Sequence, residues 1–209
     1  MNSIFLKPTD TLLRKVADEV PQDQIDLVQT KKIIKLMLKV AYGEQKDKSK
    51  PVMVGLAAPQ IGISKRIILV DVAANGKGKV GDLRIYINPE IIWKSKEKEE
   101  WYEGCYSTGR ICGIVSRPLS IKIQALNLQS RFVGSKSNRD WKFEKAEGKH
   151  GGYVARIFQH EIDHLDGKLF IDHIKDPDKL HWVEKHEFPL YRNKEAWRNW
   201  PKKWQKPLA

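Results

Sequence analysis

A length of 209 residues suits one domain, or one domain with an appendage, and 41% hydrophobic residues are enough for a real core. No run of about 18 apolar residues occurs, which argues against a transmembrane helix, and the two cysteines, Cys105 and Cys112, are too few for a disulfide framework. The formal net charge of +12 fits either simple solubility or a polyanionic partner such as RNA, and alone does not choose between them. Met1 to Lys15 has no continuous apolar stretch of signal-peptide type, and Asp10 argues against an organelle presequence, so the expected location is cytoplasmic.

In chain order, residues 4–20 read as an extended arm or a short turn of helix packed on the body. From Asp23 to Tyr42 the apolar positions Ile25, Val28, Ile33, Leu36, Met37 and Val40 recur at helical spacing, with Gly43 as the stop and Glu44 to Lys50 as an exposed loop. Val52 to Gly62 is built of small residues around Pro59, which suits either a peptide-binding edge or a tight loop beneath a sheet. Arg66 to Val72 is a strand. Ala73 to Asp82 is a glycine-containing loop without the pattern or strand-to-helix context of a phosphate cradle. Leu83 to Ile87 is a strand expected to stop at Asn88-Pro89, with Ile91 to Trp93 resuming it, and Lys94 to Glu100 is an exposed mixed-charge segment.

Cys105 follows a glycine and lies between Glu103 and Ser107. It suits a thiolate ligand, although a semi-buried packing cysteine is the simpler reading of those residues alone. Ile111 to Val115 and Leu119 to Leu126 alternate as strands, with Cys112 packing in the sheet. Residues 129–142 are a polar loop or hairpin tip, and Trp141 to Ala146 form a last strand before Gly148.

The chemistry concentrates in Gln159-His160-Glu161-Ile162-Asp163-His164-Leu165-Asp166-Gly167, which contains His-Glu-x-x-His. On a helix, histidines four apart share one face and can reach one metal ion, while Glu161 is offset toward a metal-bound water. Tyr153, Val154, Ile157, Phe158, Ile162 and Leu165 supply an apolar helix face, and Gly167 a C-terminal stop. A packing helix that happens to carry two histidines is the competing reading. Strands dominate the middle of the chain and helices lie near each end. The expected class is therefore α+β, with a mostly antiparallel sheet around a central metal-binding helix, an N-terminal helix and an extended C-terminal tail.

Three separated segments, Gly55-Leu56-Ala57-Ala58-Pro59-Gln60, Glu103-Gly104-Cys105-Tyr106-Ser107 and His160 to Gly167, stand in the order of the three motifs of peptide deformylases. The chain resembles that family from about Leu12 to Ile174. The resemblance implies a hydrolase that removes the formyl group from the N-terminal methionine of newly made proteins. It further implies that Cys105, His160 and His164 bind one divalent metal, Fe²⁺ in the native enzyme and Zn²⁺ or Ni²⁺ in purified protein. Glu161 would be general base and then acid, and Gln60 with the backbone N–H of Tyr106 would hold the oxyanion. Gly55 would present backbone to the peptide, and Val54, Tyr153 and Ile157 would shape the methionine pocket. The chain departs from the family at Met53, which replaces a glycine, and at Tyr106, which replaces a leucine and changes a pocket wall.

Two other readings stay open at this point: a related N-acyl hydrolase or metallopeptidase, and a non-catalytic ribosome-binding protein on the same scaffold. The resemblance divides the chain into a catalytic domain, residues 1–174, and a basic, Trp-rich extension, residues 175–209. In the extension Trp182, Trp197, Trp200 and Trp204 are interleaved with lysines and arginines, which suits either packing on the body or docking on the ribosome. Pro189, Pro201 and Pro207 preclude one long helix there.

Overall fold

The histidine-bearing helix, α2 (Gly152–Leu165), lies against one face of a five-stranded sheet. This computed structural model describes residues 4–25, 28–46, 52–128, 141, 143–184 and 187. The sheet comprises β1 (Gly55–Ala57), β2 (Ile67–Asp71), β3 (Leu83–Lys94), β6 (Ser120–Leu128) and β7 (Phe143–Gly151), all paired antiparallel in the order β1-β2-β3-β6-β7. A second antiparallel sheet joins β4 (Lys98–Gly104), β5 (Ile111–Pro118) and β8 (Leu180–Trp182) in the order β4-β5-β8. The class is α+β, as the sequence predicts.

Strand alternation splits the core in two. Ile67, Leu69, Leu83, Ile85 and Ile87 project to one face of the large sheet, where they meet Ile34, Met37 and Ala41 of α1 (Val28–Lys46). Ile68, Val70, Tyr86, Ile121 and Ile123 project to the other face and meet Ala155, Phe158, Ile162 and Leu165 of α2. β2 is covered on both faces and buried at every position, so it reads as a continuous apolar run rather than an alternating one. Fully burying a side chain such as Phe158 or Leu69 contributes about 1.5–3 kcal/mol.

Four expectations change in the structure. α1 does not stop at Gly43 but continues to Lys46. Gly43 faces open space, and the Gln45 amide in the last turn donates to the Met53 carbonyl at 3.0 Å and to Asp71 at 3.1 Å, which anchors the extra turn. β3 does not end at Asn88-Pro89 but passes through them with a bulge. Asn88 adopts φ 49°, and its side-chain amide brackets the Val20 backbone, with Val20 N–H at 2.9 Å and Val20 C=O at 2.8 Å. Lys98 to Glu100 belong to β4, whose exposed charges are the solvent side of an edge strand. β7 runs through Gly148 to Gly151.

Of the segment 129–142, only Trp141 is among the described residues, and it is buried. Beyond residue 174 the chain still packs on the body. Leu180–Trp182 pair with β5, Val183 is fully buried, and the Arg110 guanidinium lies 4.6 Å above the Trp182 ring. Trp197, Trp200 and Trp204 lie outside the described residues. Among the described residues no helix is long and apolar enough to cross a membrane.

Candidate metal centre

α2 starts at Gly152, where φ 57° turns the chain out of β7. It ends as the Asp166 N–H bonds back into the last turn and Gly167 takes φ 70°. Between these limits the apolar residues seat one side on the sheet, and the spacing of four sets His160 edge to face with His164, ring centroids 5.1 Å apart and ring planes at 76°. The chain brings Cys105 to them from the other sheet. It stands just past the end of β4, where a 3-10 turn, Tyr106–Thr108, reverses the direction. The Thr108 hydroxyl donates to the Cys105 carbonyl at 3.0 Å, and Gly109 closes the turn at φ 63°.

The Cys105 sulfur and one nitrogen from each histidine all lie within 4.8 Å of one another, and all three residues are buried. Cys105 Sγ is 3.3 Å from His164 Nε2. Sulfur and nitrogen ligands of one tetrahedral ion stand about 3.6 Å apart, given bonds of about 2.3 and 2.1 Å, so the donor set fits a single transition metal. Burial alone would keep the Cys105 thiol protonated, but His164 and His160 beside the sulfur outweigh it and hold the group well below its usual range. It is therefore a thiolate, the form that ligates metal. Cys112 is pushed up to about 12 by burial and stays a packing thiol in the small sheet.

Glu103 orients this set, a role the sequence reading missed. Its buried carboxylate accepts from Arg117 Nε at 2.6 Å and Nη2 at 2.9 Å, and from Arg156 Nη1 at 2.7 Å. It also lies 2.9 Å from His160 Nδ1. With Nδ1–H directed at Glu103, the Nε2 lone pair of His160 is left to face the metal position, an arrangement that fixes the ring and its tautomer. Burial would raise the Glu103 carboxyl, yet the Arg117 charge and the His160 hydrogen bond hold it well below the usual carboxylate range. Arg117 Nη1 continues the network to Asp163 at 2.7 Å, and His173 lies 2.7 Å from the same carboxylate oxygen. Arg156 was the available signal: an arginine on a helix face that is otherwise apolar needs a buried anion.

Glu161 is 4% exposed and stands outside the convergent donor set. Burial pushes its carboxyl up to about 7, against the lowering influence of His160 and His164, and Oε2 has no hydrogen-bond partner among the described residues. Gly55 of β1 sits directly against it: a methyl there would lie 2.8 Å from both the Glu161 carboxyl carbon and Ile157 Cγ2. Gln60 is held in a 3-10 turn, Ala58–Ile61, where its Oε1 accepts from Ala57 N–H at 2.7 Å. That bond aims Nε2 at Cys105 Sγ, 3.2 Å away.

The structure thus gathers Cys105, His160, His164, Glu161, Gln60, Gly55 and Ile157 in one place. Tyr153 lies two turns back along α2, 6.4 Å from Trp101 between ring centroids and close against Gly76, with Val54 in the same cluster. The Tyr106 ring turns away from this cluster: it packs on Phe5, centroids 4.8 Å apart, among residues of the α1-side core. The pocket-wall change expected from Tyr106 is therefore not where its ring lies. Met53 fills the same α1-side core at 2% exposure without a positive φ, so the loop needs no glycine there.

The model of the polypeptide deformylase family matches residues 2–180. Peptide deformylases from Phenylobacterium zucineum and Bartonella tribocorum are 38% identical over 136 residues and 34% identical over 174 residues. These alignments cover 64% of this chain and 72% of the Phenylobacterium relative, and 83% and 84% for the Bartonella pair. A Met-Ala-Ser-bound class I type b peptide deformylase from Acinetobacter baumannii superposes with a TM-score of 0.67 at 29% identity, covering 81% of this chain and 96% of that one. The Thermotoga maritima peptide deformylase gives 0.63 at 35% identity, covering 82% and 97%. The chain belongs to the polypeptide deformylase family, and it is a metal-dependent hydrolase that removes the formyl group from the N-terminal formyl-methionine of new proteins.

Proposed function

We infer that Cys105, His160 and His164 hold the single catalytic metal and that Glu161 moves the proton. The observation that carries this division is that three donors converge within 4.8 Å while the Glu161 carboxylate stands beside them outside the set. Three protein ligands with one open position are the pattern of a catalytic rather than a structural site. When bound, the metal supplies Lewis acidity and makes a water nucleophilic near neutral pH. The thiolate and the two imidazoles suit Fe²⁺ as the native ion, with Zn²⁺ or Ni²⁺ in purified protein.

Glu161 accepts a proton from the attacking water, and a carboxyl pushed up to about 7 is matched to both halves of that transfer. As the formyl carbon becomes tetrahedral, Gln60 Nε2 and the backbone N–H of Tyr106 donate to its oxyanion. Glu161 then returns the proton to the methionine nitrogen as the C–N bond breaks, leaving a free amine and formate that carries the water's oxygen. Gly55 offers backbone to the peptide in the manner of an added strand, consistent with β1 being the edge of its sheet. Val54, Tyr153 and Ile157 line the methionine side chain. The enzyme acts in the cytoplasm on N-formylmethionyl nascent peptides. The extension, residues 175–209, docks on the ribosome beyond its first, packed residues.

Formyl-Met-Ala-Ser and acetyl-Met-Ala-Ser test the reading. With the iron-loaded protein under anaerobic conditions, the formyl peptide releases formate and the acetyl peptide is not turned over. Equal rates on the two would replace this reading with a broader N-acyl hydrolase. Co-sedimentation with ribosomes at low and high salt, with and without residues 188–209, tests the extension. Equal binding by the two forms would remove it from docking.

A further inference from the structure

We propose that the solvent face of α1 is a docking surface for the phosphate backbone of folded RNA. Lys32, Lys35, Lys39 and Lys46 are all exposed, and at about 100° per residue they fall within one arc of about 60° on the helix. Val28 falls within that arc at 69% exposure, and Leu36 and Tyr42 flank it, 40% and 42% exposed. The opposite side of the helix carries Thr30, Ile34, Met37 and Ala41, which are buried, so α1 is held rigidly with this stripe outward.

The stripe is of one sign. The acid on α1, Glu44, lies about 120° round the helix from Lys32, toward the buried side, and is itself partly buried. Among the described residues no carboxylate forms an ion pair with any of the four lysines. Asp71 and Asp82 are the acids whose charge reaches the Tyr42 hydroxyl. Both are already engaged: Asp71 is buried under bonds from Gln45, Ala73, Gly81 and Asp82, and Asp82 pairs with Arg84 at 2.7 Å.

From Lys32 to Lys46 the stripe is about 21 Å long at 1.5 Å per residue, enough to follow several consecutive phosphates. Three exposed apolar side chains, Val28, Leu36 and Tyr42, spread along four ammonium groups form no continuous apolar face to insert into a bilayer, whereas they can rest on sugar and base edges. The chain's formal net charge of +12 adds long-range attraction to the same partner. α1 and α2 cover opposite faces of the large sheet, so RNA on this stripe leaves the metal centre open to peptide. The inference depends on no catalytic assignment.

The test uses the full metal-loaded chain and a fluorescein-labelled RNA hairpin, titrated across a salt series. The variant Lys32→Gln/Lys35→Gln/Lys39→Gln/Lys46→Gln is compared with a control of equal charge change, Lys94→Gln/Lys96→Gln/Lys98→Gln/Lys145→Gln. The stripe variant is expected to bind about 10- to 100-fold more weakly at low salt, with the slope of log K against log salt shallower by about 3–4. The control is expected to lose much less, and formate release from formyl-Met-Ala-Ser to be unchanged in both. The single reversal Lys39→Glu gives a milder loss in the same direction and guards against misfolding of the multiple variant. An equal loss in stripe and control variants, or an unchanged salt slope, overturns the proposal. Tighter binding to phosphatidylglycerol vesicles than to the hairpin assigns the stripe to a membrane and overturns it too.

Discussion

Replacing Gly55 with alanine tests how closely β1 is fitted to Glu161, the proposed proton-transfer group. Gly55 does not adopt a positive φ, so alanine meets no backbone strain there and its effect comes from the added methyl alone. That methyl would lie 2.8 Å from the Glu161 carboxyl carbon and from Ile157 Cγ2, and nearer still to a carboxylate oxygen, whereas ordinary contact begins at 3.4 Å. The overlap is therefore about 0.6 Å at the carbon. β1 is tied to β2 through the Gly55–Val70 register, and Ile157 is 4% exposed, so the Glu161 carboxylate is the group that gives way. A displacement approaching 1 Å in a proton-transfer group costs about 10²-fold in rate, or about 2.7 kcal/mol of barrier. Gly55→Ala should lower kcat for formyl-Met-Ala-Ser by about 10²-fold while metal content, read by mass spectrometry of the purified protein, stays at the wild-type level. A kcat within threefold of wild type would refute the close-fit argument.

Cys105→Ala should strip the metal, whereas Cys112→Ala should leave metal and turnover intact; full occupancy in the first variant would break the ligand assignment. Glu161→Ala should keep the metal and lose about 10²–10⁴-fold in turnover, and near-normal turnover would remove it from proton transfer. Glu103 and Asp163 are held below the usual carboxylate range, in both cases against the effect of burial, by Arg117 with His160 and by His173 with Arg117. Their stabilisation is therefore complete above about pH 4 and is lost as pH falls through the lowered values, so Asp163→Asn should flatten the acid limb of thermal stability. Parallel loss in wild type and variant below about pH 4 would contradict this. Truncation after Glu187 should leave the melting temperature near wild type. Truncation after Ile174 removes β8 and the buried Val183, worth about 1.5–3 kcal/mol for that side chain, and should lower it by several degrees. Equal melting of the two forms would mean β8 contributes nothing.

The parts of the fold that announce themselves are those where one physical demand dominates. β2 is legible because both of its faces are covered, and α2 because histidine spacing and apolar spacing agree. Cys105 is different: a cysteine after a glycine reads most simply as packing, and only its likeness to a family motif marks it as a ligand. Glu103 and Arg117 are illegible as a pair because their meeting depends on β4–β5 register, where Glu103 faces Gly113 rather than Arg117. β4 hides behind exposed charges that look like a loop, and Gly43 misleads because a glycine on the solvent side of a helix costs only about 1 kcal/mol. Tyr106 shows the limit of reading a motif residue by its neighbours, since its ring leaves the site that its backbone borders.

The segment Thr11–Arg14 and the bend after it close over the end of α2. Ala17 N–H bonds to Leu165 C=O at 2.8 Å, Val16 bridges to Asp166, and Gly167 approaches so closely that a methyl there would lie 2.7 Å from the Arg14 carbonyl oxygen. A segment about 150 residues upstream is thus the latch on the end of the histidine helix. A growing polypeptide cannot fasten its own histidine helix until Gly167 has emerged, so an enzyme that edits nascent chains stays unfastened until the whole span from Arg14 to Gly167 has been made. A bulky tag or a proteolytic cut near Arg14 should then act at a distance, loosening His164 without touching a ligand.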